Sequence, residues 1–312
     1  MTVQLFAGSA HPDLARALAD VLGIQLGASI IERFADDELH VQLGESTRGR
    51  DVYIIQPTSP PADRHLFELL LLADAAHRAG AARITAIMTY LGYARQDRRV
   101  GGRDAVAARV VADTLEASAV ERVVAMDVHT PAIEGFFALP VEPLSAVPLL
   151  AKAVRPHVGK DAVLVAPDLG AANLVERYAG VLHAPVAIVH KTRISGSEVR
   201  VTRVTGDVVH RAPIIVDDMI STGGTIEAAV DALLAAGCLP DVTVVASHGL
   251  FVGPAVERLR RLPIKRVIVT DSVPLPGALA FPIEAVRIGP MLADAIRRLN
   301  ADESLAGLVA HM

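Results

Sequence analysis

The run Ala212-Pro213-Ile214-Ile215-Val216-Asp217-Asp218-Met219-Ile220-Ser221-Thr222-Gly223-Gly224-Thr225 decides how the rest of the chain is read. A short apolar stretch over Ile214 to Val216 predicts a buried strand, two acids follow it, and a small-residue loop leads into helical spacing over Ile226 to Ala236. Gly223 and Gly224 let the backbone turn tightly and bring bare N–H groups toward an anion, while Ser221, Thr222 and Thr225 add hydroxyl donors at a helix N-terminus. Such a loop suits a phosphomonoester. The Gly-Lys-Ser/Thr ending of a P-loop is absent. Asp217 and Asp218, at the strand's carboxyl end, sit where open α/β sheets bind ligands and can accept hydrogen bonds from vicinal sugar hydroxyls.

Outward from this run, short β-rich stretches alternate with helical ones. Strands are predicted over Asp51 to Ile55, Arg83 to Met88, Arg122 to Met126, Ala162 to Ala166, Val242 to Ala246 and Arg266 to Thr270. Helices are predicted over His65 to Arg78, Ala105 to Ser118, Val147 to His157, Ala171 to Val181 and Pro254 to Arg261. That rhythm is the one of mainly parallel sheets flanked by helices, an α/β protein. Pro140, Pro143 and Pro148 punctuate the middle of the chain, which places a domain boundary near residue 145. The expected division is residues 1–145, residues 146–300, and a tail of 301–312 that reads as a docked helix or a frayed end. Each half carries a strand ending in a polar tip, Asp127-Val128-His129 and Asp217-Asp218-Met219, a hint of duplication.

Composition bounds the possibilities. At 312 residues, 52% hydrophobic but only 4% aromatic and without Trp, the chain must build two cores from Ala, Val, Leu and Ile. With 30 basic against 35 acidic side chains, a formal charge of -5, it has no blanket attraction for nucleic acid or anionic membranes, so anion binding must be local. A single cysteine, Cys238, excludes an internal disulfide and a cysteine-rich zinc site. Residues 1–11 lack a signal-peptide pattern and no apolar run is long enough to span a bilayer, so a soluble cytoplasmic protein is expected.

The Ala212 to Thr225 run resembles the phosphoribosyl diphosphate motif of the type I phosphoribosyltransferase superfamily. Tyr90-Leu91-Gly92-Tyr93-Ala94-Arg95-Gln96-Asp97-Arg98-Arg99 resembles the ATP-binding segment of ribose-phosphate pyrophosphokinases, and a transferase has no use for it. Arg95 offers a planar fork for phosphate oxygens and Gln96 a neutral amide, a pair that suits a nucleotide. Asp127 to Phe137 is similar to the Asp-Leu-His…Gly-Phe-Phe stretch of these kinases, which implies that His129 contacts the Mg2+ of MgATP; from its chemistry alone His129 reads as a phosphate or water contact. Phe34-Ala35-Asp36-Asp37-Glu38 matches their Phe-x-Asp-x-Glu segment, whose ring and acids receive the nucleoside from an adjacent subunit. Phe34, Asp36, Asp37 and Glu38 are therefore expected at an ATP site shared between copies of a homo-oligomer. Pro167-Asp168-Leu169-Gly170 looks like the Pro-Asp-x-Gly loop, so Asp168 ligates a second Mg2+, orients the ribose hydroxyls, or caps the following helix.

His190-Lys191-Thr192-Arg193-Ile194-Ser195-Gly196-Ser197-Glu198 is similar to the catalytic loop of the kinases, with Lys191 and Arg193 alternating on an extended segment and Arg193 also expected to contact ribose 5-phosphate. The resemblance, running from Val3 to about Leu299, implies two phosphoribosyltransferase-like domains, Mg2+ as cofactor, and ATP and ribose 5-phosphate as substrates. A phosphoribosyltransferase and a non-catalytic regulatory subunit are the other readings; Arg95 and Gln96 disfavour the first and the retained Lys191 and Arg193 the second. Two departures stand out. Ser221 replaces an acid often found at the start of the loop, keeping a donor and removing a repelling charge, as in archaeal relatives. Gly101 and Gly102 stand where many relatives carry the Arg-Ser of an inhibitory phosphate and ADP site.

Overall fold

A computed structural model describes residues 1–193, 199–277, 279 and 281–309, with the side chains of 191–202 outside that description. The chain divides into two compact units, Met1–Ser145 with Ile288–Met312, and Ala146–Arg287. In chain order the first unit contains β1 (Val3–Ala7), α1 (Pro12–Leu22), β2 (Ser29–Arg33), β3 (Leu39–Leu43), β4 (Asp51–Ile55), α2 (Ala62–Arg78), β5 (Arg83–Met88), α3 (Ala107–Glu116), β6 (Arg122–Met126) and β7 (Val141–Leu144). The second contains α4 (Val147–Val154), β8 (Ala162–Ala166), α5 (Ala172–Leu182), β9 (Val186–Arg193), β10 (Val199–Thr205), β11 (Ala212–Ile220), α6 (Gly224–Ala235), β12 (Val242–Gly249), α7 (Ala255–Arg261), β13 (Ile264–Thr270) and β14 (Ile283–Val286). The last helix, α8 (Gly289–Asn300), returns to the first unit.

The first unit is built on an all-parallel sheet of order β1-β4-β5-β6-β7, with β2 and β3 forming a separate antiparallel hairpin. Strands β4 and β5 are buried almost throughout, as continuous apolar runs in a covered parallel sheet must be. Phe6, Ile54, Leu69, Leu72, Ile84 and Val123 are among the residues of one apolar cluster that joins the sheet to its helices. α8 packs on α1, each helix burying an apolar stripe, and Arg297 Nη2 donates to the Val21 carbonyl at 2.7 Å. The expected second domain ran on to residue 300. The chain from Ile288 instead groups with the first unit, a return that no local pattern announces. Beyond Asn300 the chain is neither a docked helix nor a frayed end up to its last described residue: Val309 bridges Leu144 and Ser145 N donates to Leu308 O at 3.0 Å.

One buried ion pair anchors this sheet. Arg83 donates from Nε and Nη2 to the two carboxylate oxygens of the fully buried Asp51, at 2.9 and 2.6 Å, and the Tyr53 hydroxyl donates to Asp51 Oδ2 at 3.0 Å. Burial, then the Asp51 charge, drives the Tyr53 phenol well above its ordinary pKa, so Tyr53 is a donor at every physiological pH. Arg83→Ala would leave Asp51 charged and without its guanidinium. We expect a loss of about 3–5 kcal/mol in urea-unfolding free energy; a loss under about 1 kcal/mol would place the pair among inconsequential surface bridges.

The second unit is a seven-stranded sheet of order β10-β9-β8-β11-β12-β13-β14, parallel except for β10. The chain builds outward from β8 to β9 and β10 on one side, then crosses to β11 and builds outward on the other. The switch point therefore lies between β8 and β11, and ligands of open α/β sheets bind beyond the carboxyl ends of the strands at such a point. Val165, Ile215, Val230, Leu233, Val244 and Val267 are core residues of this unit, assembled from small aliphatic side chains as the composition requires. Among the described residues, no helix is long and apolar enough to cross a membrane.

Candidate active site

In the second unit the phosphate-loop run folds as strand, loop and helix. β11 is longer than the predicted Ile214 to Val216 and carries Asp217 and Asp218 inside it, still paired with β12 through Asp217–Ala246 and Ile220–Gly249. On its other side, registered pairing with β8 stops at Ile215–Val165. Losing one neighbour while keeping the other opens a crevice along which the two acids lie. Asp168 follows the end of β8 and caps the turn Leu169–Ala171, its Oδ1 accepting from Gly170 N at 3.0 Å and Ala171 N at 3.3 Å. The cap role is thus observed. It coexists with proximity to the acid pair. Asp217 Oδ1 accepts from Asp218 N at 3.0 Å, and the Asp217 carboxyl is held well above the usual carboxylate range by burial first, then by the charges of Asp218 and Asp168. Asp218 and Asp168 thus lie near enough to repel a charge on Asp217, an arrangement that favours hydroxyl donors or a ligand-borne cation beside the acids.

Gly223 sits at φ +75°, a left-handed conformation in which any side chain would be strained, and α6 begins at the next residue. Gly224 needs no special φ but lies close to Arg258, whose Nη1 would be 3.3 Å from an added Cβ. The first-turn N–H groups of a helix have no intrahelical carbonyl, so α6 opens toward the loop with donors and a positive dipole end. Thr222 and Thr225 are exposed and Ser221 is half-buried. Behind the loop, Leu250 N and Phe251 N both donate to Ile220 O at 3.0 Å, and Val252 N to Ser221 O at 3.0 Å. Sequence reasoning missed this backing because it comes from a segment some thirty residues downstream.

Lys191 and Arg193 close β9, which pairs in parallel with β8 and antiparallel with β10 through Val201–Lys191 and Val199–Arg193. Their side chains, and all of Ile194 to Glu198, lie outside the described residues.

In the first unit, Arg95 and Gln96 are exposed in the turn after β5, and His129 is exposed just past the end of the adjacent β6. All three occupy the carboxyl edge of that sheet. Gly92 makes the turn possible: its N–H donates to Thr58 Oγ1 at 2.7 Å, and a Cβ there would lie 2.5 Å from the Thr58 carbonyl oxygen. Gly92→Ala should therefore cost about 1–3 kcal/mol of stability by overpacking, read by denaturant unfolding; an unchanged midpoint would mean that the turn yields freely. Phe34, Asp36, Asp37 and Glu38 form the tip of the β2–β3 hairpin. Phe34 N donates to Glu38 O at 2.9 Å, Asp37 sits at φ +70°, and Glu38 N donates to Asp36 Oδ1 at 3.2 Å. The Phe34 ring is 52% exposed and tilts over His40 at 5.1 Å. Among the described residues, no group of three or more His, Cys, Asp or Glu is arranged to hold a metal ion on its own.

Comparison with known proteins finds similarity along both halves of the chain. The model of the N-terminal domain of ribose phosphate pyrophosphokinase matches residues 3–118, and that of the phosphoribosyl synthetase-associated domain matches residues 194–310. The ribose-phosphate pyrophosphokinase of Caldanaerobacter subterraneus subsp. tengcongensis is 41% identical over 309 residues, spanning 98% of either chain. That of Bacillus subtilis is 38% identical over 307 residues, 98% of this chain and 96% of its own. The crystal structure of phosphoribosylpyrophosphate synthetase from Mycobacterium smegmatis superposes with a TM-score of 0.91 at 39% identity, covering 97% of this chain and all of the other. Full-length identity near 40% joined to a shared fold leaves no room for a lone transferase domain: the chain belongs to the ribose-phosphate pyrophosphokinase family.

Proposed function

We propose that this enzyme transfers the β,γ-diphosphate of ATP to the 1-hydroxyl of ribose 5-phosphate, giving phosphoribosyl pyrophosphate and AMP, with the residues above in the following roles. The 5-phosphate rests on the loop from Ser221 to Thr225, where helix-end donors and hydroxyls meet it. Asp217 and Asp218 accept hydrogen bonds from the 2- and 3-hydroxyls, which fixes the orientation of the sugar and its anomeric hydroxyl. Arg95 and Gln96 bind ATP at the carboxyl edge of the first sheet, and Phe34, Asp36, Asp37 and Glu38 of an adjacent copy complete the nucleoside pocket in a homo-oligomer. The anomeric oxygen attacks the β-phosphorus in line and AMP departs. Charge spreads over the phosphoryl oxygens in a loose transition state, and the cationic Lys191 and Arg193 neutralise it.

The donor set fits Mg2+. Asp168 brings a hard oxygen to a crevice whose acids already repel one another, and this ion is commonly held by one or two carboxylates with substrate phosphates completing its shell. Asp168 would hold one ion and His129 would contact that of MgATP. When bound, Mg2+ adds charge neutralisation at the polyphosphate.

The observation that carries the reading is the coincidence, at one topological switch point, of the Asp217-Asp218 pair with the Gly223–Gly224 helix start. The test is AMP release by the purified chain. It is expected only with ribose 5-phosphate, ATP and Mg2+ together. No AMP release from ATP, with diphosphate released instead from phosphoribosyl pyrophosphate and a nucleobase, would indicate a transferase, and neither reaction a regulatory subunit.

A further inference from the structure

α7 places one cation against the back of the phosphate loop. Arg258 Nη1 donates to the carbonyl of Thr222 at 3.0 Å, and Arg258 Nε lies 3.3 Å from Glu227 Oε2 in the first turn of α6. Its side chain is 35% exposed. The loop carbonyl and the loop helix are thus gripped by the same guanidinium, at the point where Gly223 reverses the backbone at φ +75°. Two physical consequences follow. First, a carbonyl of the loop turned toward α7 cannot turn toward a bound anion, where its negative end would repel phosphate. Second, Glu227 in the first helical turn adds a negative charge close to a site built for a dianion, and a neighbouring guanidinium offsets it.

We propose that Arg258 is a positioning residue for sugar-phosphate binding: it fixes the Thr222 peptide so that the loop presents N–H groups, and it cancels Glu227 beneath the site. This rests on the reading that the Ser221 to Thr225 loop holds the 5-phosphate. Arg258 acts through the loop and not on the reacting atoms. Its loss should therefore raise KM for ribose 5-phosphate while KM for ATP stays put and kcat at saturation changes little.

The primary variant is Arg258→Met, which keeps the aliphatic stem and removes every donor; a hydrogen bond from a charged group is worth about ten-fold or more, so KM for ribose 5-phosphate should rise by at least about that factor. Arg258→Lys restores the charge but cannot serve Thr222 O and Glu227 together, so its rise should be smaller yet at least about three-fold. Should the methionine variant fail to fold, the lysine variant alone decides. An unchanged KM for ribose 5-phosphate, or an equal rise in both KM values, overturns the proposal. Thr225→Ala separates this failure from that of the parent reading. If it raises KM for ribose 5-phosphate and the Arg258 variants do not, the role of Arg258 is wrong; if it too leaves that KM unmoved, the 5-phosphate does not bind this loop.

Discussion

Lys191→Ala is expected to lower kcat by about two to four orders of magnitude, the usual cost of removing one preorganised charge from a transition state that develops negative charge. Binding of ribose 5-phosphate, measured by calorimetry without ATP, should stay within about three-fold, because the sugar ester is held by the loop and the acids. The split matters. Removing a remote surface cation costs at most about 1 kcal/mol, or roughly five-fold, and would be spread over binding and turnover alike. A loss of a hundred-fold or more confined to kcat can only come from an interaction realised as the β-phosphorus transfers. The fold provides the backbone for this: β9 keeps Lys191 and Arg193 in an extended strand, paired with β10 on one side and running past the end of β8 on the other. Near-normal turnover in Lys191→Ala would remove the residue from the mechanism, and Arg193→Ala would then have to account for the whole cationic contribution.

What could be read from the chain without coordinates follows from how local each signal is. Strands β4, β5, β6 and β8 match their predicted spans, since each is a continuous apolar run that only a covered parallel strand tolerates. The hairpin β2–β3 escaped notice because Ser29–Arg33 and Leu39–Leu43 are short and largely half-exposed, with only Ile31, Val41 and Leu43 packed against the core, so neither forms a continuous apolar run. α8 has a good apolar stripe, yet its packing on α1 joins residues nearly three hundred positions apart. The acids of the site were legible for a different reason: Asp217-Asp218 before a Gly-Gly turn makes little sense unless something cationic or hydroxyl-bearing binds there. Arg258 was not, since one of three arginines on a short helix reads as solvated surface until its 3.0 Å contact with Thr222 is seen.

Asp217→Asn tests the site from the side of stability. The Asp217 carboxyl is pushed well above its ordinary 3.8 by burial and by Asp218 and Asp168, so the folded chain favours its protonated form more than the unfolded chain does. The sign follows from linkage. This contribution to stability is fully present below about pH 3.8 and is lost as pH rises through the raised folded value, so relative to an uncharged side chain Asp217 weakens the fold more as the pH rises. Asparagine keeps the shape and removes the charge. The variant should therefore unfold at a higher temperature than the parent at pH 7.5, and the gap should shrink as the pH is lowered toward 4. Over the same series kcat/KM for ribose 5-phosphate should fall by about two orders of magnitude, because a carboxylate that accepts from a sugar hydroxyl becomes an amide with a weaker acceptor. A lower midpoint with intact kinetics would identify Asp217 as a structural acid. A higher midpoint with lost activity would mean that the fold tolerates this repulsion for the sake of the ligand, as sites kept away from their stability optimum do.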